Sequence, residues 1–122
     1  MSKYFSKKVF LDGIKFDSKK ESERWIFLKN EEQNGNISEL KRQVKFELVP
    51  SQKIDGKVVE RPLTYIADFT YIKDGQLHVE DVKPKDKNGK IPTHYRGTSA
   101  FKEYVVKRKL MLYLKHIKII EI

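Results

Sequence analysis

The stretch Tyr65-Ile66-Ala67-Asp68-Phe69-Thr70-Tyr71-Ile72-Lys73-Asp74-Gly75-Gln76-Leu77-His78-Val79-Glu80-Asp81-Val82-Lys83 decides the fold. Residues 65–72 and 77–83 are rich in β-branched and aromatic side chains and read as two strands. Asp74-Gly75 between them is a two-residue hairpin signal, because a type I′ turn requires φ > 0 at both central positions. Counting outward from that turn, Lys73 faces Gln76, Thr70 faces Val79 and Asp68 faces Asp81. Strand side chains alternate faces, with same-face neighbours about 6.6–6.8 Å apart. Asp68, Asp81 and Lys83 therefore share one face, together with Ile66, Thr70, Ile72, Leu77 and Val79. Tyr65, Ala67, Phe69, Tyr71 and Val82 take the other. Glu80 falls opposite Phe69 on that second face and reads as structural or solvent-facing. Two carboxylates set directly across a strand pair repel, and a divalent cation between them would account for both. A lysine beside such a cation suits the stabilisation of an attacking hydroxide or a developing oxyanion, the equipment of a metal-dependent phosphodiesterase.

Working outward, the chain shows no repeat, linker or low-complexity tract, and its 122 residues make one domain, 1–122. Upstream, Val9 to Phe16 forms a small hairpin turning at Asp12-Gly13. A helix runs from about Lys19 to Asn34, with Trp25, Ile26, Phe27 and Leu28 as a broad apolar face and Gly35 suited to the C-terminal cap. Val44 to Val49 alternates like a strand and stops at Pro50, and a polar excursion from Ser51 to Arg61 turns at Asp55-Gly56. Downstream, Pro84 to Gly97 reads as a loop. A second helix spans Thr98 to Leu114, and His116 to Ile122 closes the chain as a strand. The order helix-strand-strand-strand-helix-strand predicts an α/β or α+β domain, a mixed sheet of about four strands flanked by two helices.

Composition narrows the chemistry. Apolar residues make up 39% of the chain and charged residues 35%, which fits a heavily charged globular protein. The absence of cysteine excludes disulfides, thiolate zinc sites and cysteine nucleophiles, and fits a reducing cytoplasm. No apolar run approaches a membrane span, and Met1 to Lys8 lacks the apolar core of a signal peptide. His78, His94 and His116 lie on unlike elements, which argues against a histidine metal site. Of the net charge of +9, residues 84–122 carry +7, with ten Lys/Arg against three Asp/Glu. Tyr95, Phe101, Tyr104 and Tyr113 are interleaved with those cations, a pattern that suits a polyanion. The candidate phosphate contacts are Lys85, Lys87, Lys90 and Arg96 in the loop and Lys102, Lys107, Arg108 and Lys109 in the second helix.

Glu21 has two readings. Ser18-Lys19-Lys20-Glu21 is a capping box, in which the serine caps the helix and the glutamate reaches back to the cap amide. Alternatively, Glu21 points from the first helical turn into the carboxylate site as a further metal or water ligand. Asp17 and Glu23 have weaker claims.

Asp68, then Asp81-Val82-Lys83, resembles the D-x(n)-D-x-K pattern of the PD-(D/E)XK nuclease superfamily, and the element order is similar to that superfamily's core. More narrowly, the chain resembles a group of small phage-encoded endonuclease-like proteins. The resemblance runs through residues 12–21, Gln43 to Leu48, Tyr65 to Phe69, Val79 to Lys83 and Ile117 to Ile122, nearly everything outside the 84–97 loop. It implies a restriction-endonuclease-like fold and a DNA endonuclease of the host-cell cytoplasm. It further implies that Asp68 and Asp81 bind Mg²⁺ or Mn²⁺ and that Lys83 positions or activates water. An acidic residue on the first helix of related nucleases maps onto Glu21, as ligand or catalytic group. The chain departs in having Ala67, not proline, before Asp68, and a longer insertion after Lys83. A nuclease this small without a sequence-reading module suits a DNA structure such as a branch or flap, and branch cutting suits a homodimer. Two other readings stay open: a non-catalytic nucleic-acid-binding module, and a phage factor whose basic face contacts an acidic host protein.

Overall fold

The computed structural model describes residues 8–122; residues 1–7, which carry most of the segment read as lacking a signal peptide, lie outside the described residues. Eight strands and three helices follow in the order β1 (Val9–Leu11), β2 (Ile14–Phe16), α1 (Lys19–Gln33), β3 (Ser38–Val49), β4 (Gln52–Ile54), β5 (Lys57–Glu60), β6 (Leu63–Lys73), β7 (Gln76–Asp81), α2 (Thr93–Arg96), α3 (Ser99–Lys115) and β8 (Ile120–Glu121). The domain is α+β, with a mixed four-stranded sheet in the order β3-β6-β7-β8. β8 joins β7 in parallel and the other pairs are antiparallel. The hairpins β1-β2 and β4-β5 stand as separate two-stranded units.

The central hairpin has the register that its turn dictates. Lys73 pairs with Gln76, and the ladder runs through Thr70↔Val79 to Phe69↔Glu80. Asp74 and Gly75 both have positive φ, 52° and 75°, as a type I′ turn requires. Beyond Phe69 the ladder opens. The Val82 N–H is taken by the Asp68 carboxylate (2.8 Å).

Helices cover the sheet from two sides and make two cores. Phe69, Tyr71 and Val82 pack with Leu28 and Trp25 of α1, while Val79 packs with Phe101, Tyr104 and Met111 of α3. Tyr65 and Ala67 belong to the α3 core, not to the face of Phe69 and Tyr71 where strict alternation puts them. The side chains of β6 change sides between Ala67 and Phe69, at Asp68. The cause lies across the ladder. Arg42 pairs with Phe69 and Val44 with Ala67, so Gln43 stands opposite Asp68, and Gln43 has left-handed backbone (φ 54°). A non-glycine residue in that conformation within a strand kinks it and breaks the period of two.

Other expectations change in detail. β3 is twelve residues long, twice the alternating segment. α1 buries Leu28 but leaves Ile26 and Phe27 about half exposed. The polar excursion at 51–61 forms β4-β5, the 84–97 loop contains the single turn α2, and only Ile120–Glu121 of the last segment pair as strand. Among the described residues no helix is long and apolar enough to cross a membrane.

Candidate functional site

Serine at the N-cap sets the geometry of α1. Ser18 accepts the Glu21 backbone N–H at 3.1 Å, which satisfies one of the orphan donors of the first turn. The reciprocal half of the capping box is not made. Glu21 Oε1 is buried without a hydrogen-bond partner, and the carboxyl lies against Asp68. Among the described residues the nearest cation, Arg42 Nη2, is 3.9 Å away and is also drawn toward the Lys15 carbonyl and the Phe16 ring.

Three carboxylates thus meet where the first turn of α1 approaches the opened end of the hairpin. Asp68 sits at the kink and interacts with both Glu21 and Asp81. Gln43 reaches its Oδ1 at 3.4 Å. Asp81, at the end of β7, accepts the Tyr65 hydroxyl at 2.8 Å, and Lys83 Nζ lies 3.4 Å from the same oxygen. Glu21, Asp81 and Lys83 are all buried. Burial, reinforced by Asp68 and Asp17, raises Glu21 from an ordinary 4.5 to about 7. Burial and the adjacent Asp68 raise Asp81 from 3.8 to about 7, against the opposing pull of Lys83. Carboxylates crowded in this way lack compensation for their charge.

The three line a cleft of about 840 Å³. Its oxygen-only donors suit hard divalent cations such as Mg²⁺ or Mn²⁺, and the orphaned Glu21 Oε1 supplies a buried acceptor with nothing to accept. Among the described residues no three His, Cys, Asp or Glu side chains already stand in metal-ligand geometry. The cleft offers an acidic cluster that its partners compensate only in part, rather than a finished cage.

The sequence-predicted residues divide clearly. Asp68, Asp81, Lys83 and Glu21 come together. The basic residues Lys85, Lys87, Lys90, Arg96, Lys102, Lys107 and Lys109 do not line the cleft. Lys85 instead donates to the Glu121 backbone oxygen at 2.7 Å, Lys107 pairs loosely with Glu103, and Arg108 binds Glu121 at 2.9 Å. Among the described residues, the cations that line the cleft are Lys8, Lys19, Lys20 and Lys83. Sequence reasoning missed the first three because they lie far from the motif strands. Lys20 has a visible role, donating to the backbone oxygens of Lys83 (2.8 Å) and Ile122 (2.9 Å) and so joining α1 to the ends of β7 and β8. Glu80 is structural, not solvent-facing. It is fully buried on the α1 side, where Arg24 grips it with two nitrogens and the Tyr71 hydroxyl donates a third bond.

Residues 1–118 match the family described as "Protein of unknown function (DUF1064)", and the chain belongs to that family. No curated protein and no solved structure matches it.

Proposed function

We propose that this DUF1064 chain is a metal-dependent DNA endonuclease of the PD-(D/E)XK type, acting in a reducing cytoplasm. The observation that carries the reading is the convergence of Glu21, Asp68 and Asp81 on one cleft with Lys83 beside Asp81. Those three carboxylates would hold Mg²⁺ or Mn²⁺. Such an ion, when bound, supplies Lewis-acid polarisation of a phosphoryl oxygen and lowers the pKa of water. The chain's own contribution is electrostatic and positional. Lys83 places a fixed positive charge at the edge of the carboxylate cluster, where negative charge grows as water adds to phosphorus and the ester oxygen departs. Lys19 on the cleft wall suits a flanking phosphate of the strand being cut, and so does Lys8, which would exchange its Asp17 partner (2.6 Å) for that phosphate. The exposed cations Lys87, Lys90, Arg96, Lys102 and Lys109 extend a positive surface that grips DNA without reading its sequence. A branched or flapped substrate, and a dimer to cut two strands, agree with the small size of the domain.

The test is incubation with supercoiled plasmid, linear, flap and four-way-junction DNA in Mg²⁺, Mn²⁺ or EDTA. Cleavage that EDTA abolishes and Asp81→Asn removes is the expected result. Salt-sensitive DNA binding with no cleavage of any substrate in either metal would leave a binding module and overturn the enzyme.

A further inference from the structure

Lys83 reaches its place by an unusual route. Its side chain is 10% exposed, and two groups bracket the ammonium: Asp81 Oδ2 at 3.4 Å and the face of the Tyr104 ring, with Nζ 3.7 Å from the ring centroid. Tyr104 comes from the second turn of α3 and is itself held from behind. Its hydroxyl donates to Glu121 Oε2 at 2.6 Å, and Arg108 binds the same oxygen at 2.9 Å. The chain Asp81–Lys83–Tyr104–Glu121–Arg108 links the cleft to β8 and α3.

We propose that Tyr104 is a positioning residue that holds the Lys83 ammonium beside Asp81 without letting it close on that carboxylate, and that Glu121 locks the ring in place. The reason is geometric. A lysine on a flexible four-carbon stem, buried next to a carboxylate whose other donor among the described residues is the Tyr65 hydroxyl, has room to close on it at about 2.7–2.9 Å, the usual length of a charge-assisted hydrogen bond. Here it stands at 3.4 Å, with the Tyr65 hydroxyl already on that oxygen and the aromatic face attracting the ammonium from the other side. The ring thereby leaves Asp81 available to a cation while keeping the lysine's charge at the site. This inference rests on the proposed function for its catalytic meaning, but the placement of Lys83 is measurable without it.

The experiment is NMR of metal-free protein labelled with ¹³C-lysine, with the Lys83 ε-methylene signal assigned by its loss in Lys83→Arg. In the wild type the ring current should shift those protons upfield of the other lysines. Tyr104→Phe, which keeps the ring but loses its bond to Glu121, should reduce the shift; Glu121→Ala should reduce it to a similar extent, and Tyr104→Leu should abolish it. A wild-type Lys83 signal among the other lysines overturns the proposal even if Tyr104→Leu fails to fold. So does an upfield signal that a folded Tyr104→Leu leaves unmoved. In the cleavage assay, Tyr104→Leu should lower kcat roughly tenfold with KM little changed, and phenylalanine, which keeps the ring but not the lock, should restore part of that loss. A Tyr104→Leu enzyme with wild-type kcat removes the positioning role. A ring-dependent Lys83 shift in a protein that cuts no DNA keeps the clamp and discards the nuclease.

Discussion

Glu80 and Asp81 are consecutive carboxylates in one strand, both buried, and their surroundings are opposite. Glu80 points to the α1 core and takes bonds from two of the three guanidinium nitrogens of Arg24 and from Tyr71. Asp81 points to the cleft, where it has one hydroxyl donor, a lysine held at 3.4 Å, and another carboxylate against it. The first is a charge whose desolvation is offset by its partners. The second is a charge the fold leaves wanting. A buried acid with a full set of donors fastens α1 to the sheet. A buried acid pushed up to about 7 by its burial and by Asp68 is one that a cation would relieve.

The contrast is sharpest under substitution. Asp81→Asn should reduce cleavage by on the order of 10²–10³-fold or more, since it removes a group on which the site's electrostatics depend. The same change should not lower the melting temperature of the metal-free protein, because it relieves repulsion. Glu80→Gln should do the reverse, costing about 3 kcal/mol of folding stability by stranding Arg24. Chemical denaturation and single-turnover cleavage of both variants read the two effects separately. If Glu80→Gln abolishes cleavage at wild-type stability, the division of labour between these neighbours is wrong.

Glu21→Gln comes next. The Ser18 cap bonds to the Glu21 backbone, so glutamine keeps it. Cleavage should fall sharply with melting unchanged or slightly raised. Cleavage near the wild-type rate would return Glu21 to a purely helical role.

A smaller effect concerns pH. Glu21 and Asp81 bind protons more tightly folded than unfolded, with values near 7 against ordinary values of 4.5 and 3.8. Their protonation stabilises the fold, so their contribution is present below about pH 4 and is lost as pH rises toward 7. Other acids titrate over part of that range, so the informative quantity is the difference between variants. The stability gap in favour of Asp81→Asn over metal-free wild type should widen from pH 5 to pH 8. A constant gap would mean that Asp81 is compensated after all.

The smallest effect belongs to the surface. Removing Lys87 and Lys90 together should weaken binding to every duplex alike. It should lower the slope of log K against log salt by about 0.9 for each DNA phosphate that the variant no longer neutralises. An unchanged slope would confine the DNA to the cleft walls of Lys8 and Lys19.

The sequence made one half of this comparison readable. Asp74-Gly75 set the hairpin register by turn chemistry alone, and counting from it brought Asp68 and Asp81 near one another, although the paired ladder ends one rung short of them at Phe69↔Glu80. Ser18 marked the start of α1 for an equally local reason. What stayed hidden was non-local. Arg24 and Glu80 are 56 residues apart, so nothing in either segment announces their bond. The kink at Asp68 depends on the backbone of Gln43 in another strand, and it moved Tyr65 and Ala67 to the face where Tyr65 meets Asp81. The polar run from Ser38 to Gln43 has no alternation, and β6 draws it into β3. The basic residues could be counted but not aimed, since charge clustering in sequence does not say which cations the fold ties up internally, as it does Lys85 and Arg108.

The most direct test of the central claim, that Glu21, Asp68 and Asp81 form a cation site, is calorimetric titration of Mn²⁺ into purified protein without DNA. The wild type should bind Mn²⁺ at the cleft and gain melting temperature with metal concentration, and Asp81→Asn should lose both responses while Glu80→Gln, although less stable, retains the binding. Mn²⁺ binding that is absent from the wild type, or that Asp81→Asn leaves intact, would contradict the account.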